Sequence, residues 1–306
     1  MATCDEAARR CGIFALIGAP NSGKSTLLNR LVGQKVSIVS RKVQTTRALL
    51  RAVAMAQDSQ LVFVDTPGIF EPRRPLERAM VAAAWGGARD ADAVVLIVDA
   101  AAGGQRAASL EIARALAGDS RPLVLALNKI DLVEPESLLA LSAEFAGLAT
   151  FERTFMISAL TGDGVGDLTA WLAATAPEGP WLYPPDQLTD LPERMLAAEI
   201  TREKLYHYLH DELPYAMSVE TERWSELKDG SARIEQVIYV ERESQKRIVL
   251  GKGGRQIKQI STEARKAIQA MLARPAHLFL FVKVRARWTE DPARYREIGL
   301  EFEPEK

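Results

Sequence analysis

Residues 18–26, GAPNSGKST, fit the phosphate-loop pattern G-x-x-x-x-G-K-[ST]. An unbroken apolar run of strand length, residues 13–17, precedes the pattern, and residues 24–31 follow it with the apolar spacing of a short helix. A chance glycine-rich turn would match the pattern in roughly one chain in a hundred of this length. Strand, turn and helix together predict an α/β domain that binds a nucleoside triphosphate.

The residue types of this loop suit a phosphate ligand. Gly18 and Gly23 allow backbone angles and close approaches that a Cβ would block, so successive N–H groups can point at one anion. The helix N-terminus adds partial positive charge, Lys24 supplies a full charge for the β- and γ-phosphates, and the Ser25 hydroxyl can ligate Mg²⁺. The predicted nucleotide contacts in the loop are Gly18, Ala19, Pro20, Asn21, Ser22, Gly23, Lys24, Ser25 and Thr26.

A second motif, DTPG at residues 65–68, directly follows residues 60–64, which have the pattern of a buried strand. An aspartate at the carboxyl end of a strand beside the phosphate loop can hold Mg²⁺ through water, and the Gly68 N–H can bond to a γ-phosphate. A Pro-Gly turn would explain DTPG alone, but the phosphate loop about forty residues earlier favours a nucleotide site. The predicted contacts therefore include Asp65, Thr66, Pro67, Gly68 and Ile69.

A third motif, NKID at residues 128–131, follows the apolar run 122–127 and indicates which base is bound. The Asp131 carboxylate can accept hydrogen bonds from N1–H and the N2 amino group of guanine, whereas adenine lacks both donors in that arrangement. The Lys129 stem can lie over the base, and Asn128 can bridge the base and the phosphate loop. An aspartate that caps the next helix is the alternative, but it leaves the preceding Asn-Lys unexplained. The predicted base contacts are Asn128, Lys129, Ile130 and Asp131, with a backbone N–H from Ser158, Ala159 or Leu160 for guanine O6.

The first half of the chain alternates strand and helix patterns. Its near-continuous apolar strands predict a mostly parallel sheet covered on both faces, with the ligand at the carboxyl ends of the strands. Further strands are predicted at 49–55, 93–99 and 154–157, and further helices at about 76–86, 108–117 and 165–174. We predict a nucleotide-binding domain over residues 1–180 and, from the Pro-rich composition, a linker over 181–192.

The second half has the element order helix, strand, strand, helix, helix, strand, with the sequence GKGG between its last two helices. This order is that of an α+β, type II KH domain, in which a Gly-x-x-Gly loop contacts the backbone of four nucleotides. The predicted elements are a helix at 193–210, strands at 215–224 and 233–240, a helix segment at 244–250, a helix at 255–271 and a strand at 277–287, within a domain of residues 193–306.

The charge distribution agrees with an RNA partner for the second half. Residues 242–287 hold twelve Lys or Arg and two acids, a net charge of +10, whereas the whole chain carries −1. A lone Gly-x-x-Gly is far more often an ordinary loop, but the surrounding charge and the element order favour RNA binding. The predicted RNA contacts are Gly251, Lys252, Gly253, Gly254, Arg255 and Lys258, and no DNA partner is expected.

Composition restricts the class of protein. The 306 residues, 47% of them hydrophobic, suit two ordinary domains with real cores. The two cysteines, Cys4 and Cys11, are expected to be free thiols in a reducing compartment. No signal peptide or membrane-spanning run is evident, so we expect a soluble, intracellular protein.

With both halves placed, the chain resembles the Era family of bacterial GTPases from about residue 11 to residue 300. The resemblance rests on GAPNSGKST, KVQTTR, DTPG, NKID and SAL in the first half, and on ELPY at 212–215 and VERESQKRIVLGKGG at 240–254 in the second. Ala19 and Ser22 differ from the bulkier residues common in that family's loop, but backbone groups act at those positions.

The resemblance implies a P-loop GTPase domain followed by a KH domain. It implies a cytoplasmic, GTP-hydrolysing switch that binds small-subunit (16S) rRNA near its 3′ end, assists assembly of the 30S subunit and associates peripherally with the inner membrane. Carried over residue by residue, Ser25, Thr46 and Asp65 would hold Mg²⁺, and Lys24, Thr46, Gly68 and Asn21 would serve catalysis. The sequence leaves open whether Thr45 or Thr46 is the Mg²⁺ ligand.

Two features bear on hydrolysis. Ile69 stands where Ras-type switches have the glutamine that orients the attacking water, which predicts slow intrinsic GTP hydrolysis. The Asn21 side-chain oxygen can ligate a monovalent cation between the β- and γ-phosphates, and the resemblance implies that this cation is K⁺. The alternative is that Asn21 only stabilises the turn. Two other functions are open: an RNA-binding module that holds GTP or GDP with negligible turnover, and, less favoured, a metabolic phosphoryl-transferase.

Overall fold

The structure is a computed structural model that describes residues 9–40, 42, 46, 49–72, 75–101, 103, 106–210, 213–286 and 300, without the side chains of 215 and 216. Contacts divide the chain into two compact units, Met1–Ser37 with Thr46–Asp190, and Ile38–Thr45 with Leu191–Lys306. Within the described residues, every helix is too short or too polar to cross a membrane.

The first unit contains a sheet whose described strands run in the order β2-β3-β1-β4-β5-β6. The β2–β3 pair is antiparallel and all other pairs are parallel, which confirms the mostly parallel sheet that the sequence predicts. The strands are β1 Arg10–Ile17, β2 Leu50–Ala56, β3 Ser59–Asp65, β4 Ala93–Asp99, β5 Leu123–Asn128 and β6 Arg153–Ile157. The helices are α1 Lys24–Val32, α2 Pro75–Arg89, α3 Arg106–Leu116, α4 Pro135–Ala146 and α5 Val165–Thr175.

The central strands are apolar along their whole length because both of their faces are covered. Every residue of β3 and β5 is buried, and so is β4 up to its final Asp99. Because neighbouring parallel strands end at the same edge of a sheet, the loops after β1, β3, β4 and β5 meet there. The sheet therefore brings the phosphate loop, DTPG and NKID together, although they are far apart in the chain.

Residues 181–190, which composition suggests to be a linker, belong to the first unit. The buried Gln60 side chain of β3 accepts hydrogen bonds from the N–H groups of Leu182 and Tyr183 at 2.8 and 3.0 Å. Its amide also donates to the Tyr183 carbonyl at 2.8 Å. One polar side chain in the sheet thus holds the start of this segment, a contact that composition cannot indicate.

In the second unit the described strands form a sheet in the order β7-β8-β9, with β7 antiparallel and β9 parallel to β8. Three α-helices of this unit lie within the described residues. Two apolar clusters join helices to strands: one includes Ile200, Ile234 and Ile268, and the other includes Leu205, Ile238 and Val249. The elements are α6 Glu193–Tyr208, β7 Met217–Glu226, β8 Ala232–Val240, α7 Glu243–Leu250, α8 Arg255–Leu272 and β9 Ala276–Val284. This order and pairing confirm the KH-type fold.

Several element limits differ from those that the sequence predicts. Helix α4 is not evident from the chain pattern, because it lies directly after the NKID loop and its apolar residues alternate with many exposed ones. The strand predicted from residue 215 begins at 217, because Leu213–Ala216 forms a 3₁₀ helix that includes Pro214, whose fixed φ favours a turn. The last strand ends at Val284 rather than at 287, and residue 287 lies outside the described residues.

Candidate nucleotide and nucleic-acid sites

The phosphate loop joins β1 to α1 through residues with positive φ. Gly23, the residue before α1, has φ 100°, and an added Cβ would lie 2.1 Å from the Asn128 amide nitrogen. Asn21 has φ 60°, a left-handed conformation that asparagine tolerates better than most residues. Backbone geometry and a neighbouring side chain therefore require glycine at position 23.

Lys24 is buried beneath this loop. Its ammonium group donates hydrogen bonds to the carbonyl oxygens of Gly18 and Ala19 at 3.0 and 2.9 Å. Burial lowers the pKa of Lys24 to about 8, and the nearby Asp65 carboxylate opposes this effect. The structure thus places a titratable cation under the backbone N–H groups that would surround a phosphate.

Three hydroxyl groups converge on one oxygen of the Asp65 carboxylate at the end of β3. The hydroxyls of Ser25, Ser37 and Thr46 lie 3.1, 3.0 and 3.5 Å from Asp65 Oδ2, and those of Ser25 and Thr46 are 3.0 Å apart. Burial raises the pKa of Asp65, and the charge of Lys24 and these hydrogen bonds oppose the rise. Thr45, the other candidate ligand, lies outside the described residues.

These groups fit a magnesium ion. Mg²⁺ prefers oxygen ligands and typically uses one or two carboxylates together with substrate phosphates. The second carboxylate oxygen, Asp65 Oδ1, is buried and has no hydrogen-bond partner among the described residues. Within the same residues no cluster of three His, Cys, Asp or Glu could hold a metal elsewhere. The hydroxyls of Ser25 and Thr46 and the carboxylate of Asp65 are therefore suitable Mg²⁺ ligands.

The DTPG loop is fastened to the phosphate loop and to β1. The Thr66 hydroxyl donates to the Leu16 carbonyl at 2.8 Å, and the Ile69 N–H donates to the Gly18 carbonyl at 3.1 Å. The Ile69 side chain is 8% exposed and belongs to the apolar core. The backbone N–H of Ile69 thus bonds to the phosphate loop and its side chain lies in the same apolar cluster as Ala19, while the N–H of the preceding Gly68 has no acceptor among the described residues.

Asn128 connects the phosphate loop to the loop 158–160. Its side chain is buried, donates to the Ser22 carbonyl at 2.8 Å and accepts a hydrogen bond from the Ala159 N–H at 2.9 Å. The Ser158 N–H donates to the Asp163 carbonyl at 2.9 Å. Of the three N–H groups predicted for guanine O6, that of Leu160 has no acceptor within the described part of the chain.

Lys129 and Asp131 lie on either side of the same turn. Lys129 has φ 67°, and its ammonium group forms an ion pair with the Asp99 carboxylate at the end of β4. Asp131 is exposed and makes no hydrogen bond to any described residue, and α4 begins only at Pro135 with Glu134 before it. Asp131 therefore does not cap α4, and its carboxylate is accessible to a ligand.

The structure adds side chains that the motifs do not indicate. Arg30, in the last turn of α1, donates to the carbonyls of Ala159, at 3.3 Å, and Leu160. Asp99 pairs with Lys129, and Ser37 bonds to Asp65. No local sequence pattern indicates that Asp99, Arg30 or Ser37 would reach these motifs.

In the second unit the GKGG sequence forms the turn between α7 and α8. Gly251, Gly253 and Gly254 have φ of 71°, 62° and 73°, and an added Cβ at 253 or 254 would meet nothing within 4 Å. The other predicted RNA contacts, Lys252, Arg255 and Lys258, are exposed beside this turn. An exposed backbone and three cations on one short segment suit the sugar–phosphate backbone of a nucleic acid.

Comparisons with known proteins agree with both halves. The 50S ribosome-binding GTPase family matches residues 13–129, and the KH domain family matches residues 212–289. The GTPase Era of Rhizobium meliloti is 62% identical over 295 residues, which cover 96% of this chain and 93% of that protein. The GTPase Era of Agrobacterium fabrum is 60% identical over 96% of this chain and 92% of that protein.

Two solved structures share the fold of the whole chain. One is a variant of Aquifex aeolicus Era bound to GDP·AlF₄⁻, with a TM-score of 0.89 and 36% identity over 95% of this chain and 99% of that one. The other is Era in complex with MgGDPNP and nucleotides 1506–1542 of 16S ribosomal RNA, with a TM-score of 0.90 and the same identity and coverage. On this similarity, which spans both units, the chain belongs to the Era family of GTPases.

Proposed function

We propose that the first unit binds and hydrolyses GTP and that the second binds small-subunit rRNA near its 3′ end, as part of 30S subunit assembly. The observation that supports the guanine-nucleotide site is the pair of hydrogen bonds made by Asn128, which ties the phosphate loop to the loop 158–160. Because the phosphate and base contacts share one buried connection, they form a single guanine-nucleotide site. The Era complexes with MgGDPNP, GDP·AlF₄⁻ and rRNA support the assignment.

The residues divide by role within this proposal. Ser25, Thr46 and Asp65 would hold Mg²⁺, which when bound neutralises charge on the β- and γ-phosphates. The ammonium group of Lys24 would leave the carbonyls of its own loop for the phosphates. Asp131 would accept the guanine N1–H and N2 amino hydrogen bonds.

Slow intrinsic turnover follows from the position of Ile69. Its apolar side chain lies in the core, so it cannot orient an attacking water. Asn21 would instead ligate K⁺ between the β- and γ-phosphates, in a loop where its φ of 60° equally suits a purely conformational role. The test is GTP turnover in potassium and in sodium at equal ionic strength, for the wild type and Asn21→Ala. Equal wild-type rates in both salts would remove the cation role.

The main alternative is an RNA-binding protein that holds GTP or GDP without turning it over. Phosphate release should be measured with and without an RNA of nucleotides 1506–1542, the segment bound in the Era complex. We expect multiple turnovers, and binding of this RNA that is weakened when Gly253 is replaced by aspartate. A single equivalent of GTP retained without phosphate release would favour the alternative.

The location follows from the same assignment. We propose that the protein acts in the cytoplasm, where ribosomal subunits assemble, and that it also associates peripherally with the inner membrane. Flotation with vesicles of bacterial lipids tests the second statement, and a protein that stays at the bottom of the gradient with GTP and with GDP would contradict it.

A further inference from the structure

We propose that Ser37 is a positioning residue that holds the Asp65 carboxylate for Mg²⁺, and that the Asn29 side chain fixes Ser37 for this task. The inference rests on the proposed guanine-nucleotide site with Mg²⁺. It assigns a role to two residues outside the phosphate loop, DTPG and NKID.

The first observation is the hydrogen bond between Ser37 and Asp65. The Ser37 hydroxyl donates to Asp65 Oδ2 at 3.0 Å, and Ser37 is 6% exposed. Ser25 and Thr46 also present hydroxyls to this oxygen, but those two are predicted to turn their oxygen lone pairs to the metal. Ser37 is then the hydroxyl that can remain on the carboxylate.

The second observation is how firmly Ser37 is held. The Asn29 amide group donates to the Ser37 carbonyl at 2.7 Å and accepts hydrogen bonds from the N–H groups of Val36 and Ser37, both at 2.8 Å. One side chain of α1 thus makes three hydrogen bonds to two successive residues. These bonds fix the backbone at Ser37, the last residue of the first unit before the chain enters the second at Ile38.

A fixed donor matters because the carboxylate is buried. Burial disfavours the charged form of Asp65, so each hydrogen bond to it both stabilises the anion and limits its rotation. Partners that orient a metal-binding group typically change metal affinity by about 10–100-fold when they are removed. Ser37 and Asn29 together form such a support for Asp65.

The experiment separates Mg²⁺ affinity from nucleotide affinity. For Ser37→Ala, the dissociation of a fluorescent GDP analogue is followed over a Mg²⁺ titration, and nucleotide affinity is also measured with excess EDTA. We expect the affinity for Mg²⁺ to be about tenfold weaker than in the wild type. The nucleotide affinity without Mg²⁺ should stay within about twofold of the wild-type value. The near-isosteric variant Ser37→Cys, whose thiol is a weak donor, should also weaken Mg²⁺ binding. It provides a second test in case the alanine variant does not fold.

Ser59→Ala is the matched control. Ser59 is also buried and donates one hydroxyl hydrogen bond, to the Ala173 carbonyl at 3.0 Å, but it begins β3 whereas Asp65 ends it. Ser59→Ala, like Ser37→Ala, is expected to lower the melting temperature, but it should leave the Mg²⁺ affinity unchanged. Asn29→Ala should weaken Mg²⁺ binding, and the double variant with Ser37→Ala should bind Mg²⁺ no more weakly than Ser37→Ala alone.

Two results would overturn the inference: wild-type Mg²⁺ affinity in both Ser37 variants, or an equal loss of nucleotide affinity with and without Mg²⁺. Failure of the proposed function would look different, because the wild-type protein would then not bind the guanine nucleotide at all.

Discussion

The nucleotide site of the first unit and the GKGG turn of the second both rely on glycines with positive φ, but in opposite surroundings. Gly23 lies against the buried Asn128, which in turn bonds to Ser22 and Ala159. Gly253 is exposed, and space around it is open to at least 4 Å. The first site is assembled inside the protein, whereas the second leaves its backbone open to solvent.

This difference separates two ways of binding an anion. In the first unit, buried hydrogen bonds set the position of each group before the ligand arrives, so small changes in shape should have large effects. In the second, affinity should depend on charge and on an unobstructed backbone, so shape changes should matter less than charge changes.

A single methyl group added at Gly23 should weaken ligand binding more than any other change considered below. Gly23→Ala places a Cβ against the Asn128 amide in a backbone conformation unfavourable to alanine, which should cost about 3 kcal/mol or more of guanine-nucleotide binding. Gly253→Ala has only the cost of an alanine in the left-handed conformation, about 1–2 kcal/mol, and its Cβ meets no neighbour within 4 Å. The two sites are compared by calorimetry, which measures the nucleotide affinity of Gly23→Ala and the RNA affinity of Gly253→Ala. Losses of equal size would contradict the distinction.

Asp131→Asn tests recognition within the buried site. The variant loses a charged hydrogen-bonding partner of guanine, so GTP affinity should fall by about 1.5–3 kcal/mol. Xanthosine triphosphate should gain affinity, because its O2 accepts where guanine donates. Competition between the two nucleotides for the variant gives the ratio, and tight GTP binding would refute the assignment of Asp131.

The pKa of Lys24 makes nucleotide binding depend on pH. Bound phosphates favour the ammonium form, so they should raise the pKa of Lys24 above its free value of about 8. Below pH 8 the group is charged already, whereas above pH 8 binding must take up a proton, so GDP affinity should fall by at most about tenfold, or ~1.4 kcal/mol, per pH unit. Calorimetry between pH 7 and 9 measures this fall in GDP affinity. In Lys24→Arg, whose guanidinium stays charged, this part of the dependence should vanish.

The exposed site should respond to charge instead. Gly253→Asp brings a carboxylate near the RNA backbone and should weaken rRNA binding by about 1 kcal/mol for each phosphate about 4 Å away. Gly253→Asn, of similar shape and tolerant of positive φ, is the neutral control and should bind more tightly than the aspartate variant. The difference should shrink as salt rises, and GTP affinity should not change. Equal RNA binding by the two variants at low salt would show that charge at this turn is unimportant.

Those parts of the protein that depend only on neighbouring residues can be predicted from the amino-acid sequence. Apolar runs of strand length predict β3, β4 and β5, and the GKGG turn with its cations predicts the second site, because periodicity and glycine conformations are properties of short segments. The three motifs could be assigned to one edge of one sheet because parallel strands end together.

The distant side chains that support those motifs become evident from the folded chain alone. The pairing of β4 with β5 sets Asp99 opposite Asn128 and so beside Lys129. The packing of α1 brings Arg30 to Ala159, 129 residues away. Such hydrogen bonds join segments whose proximity results from burial of the whole core, so no local pattern of residue types encodes them.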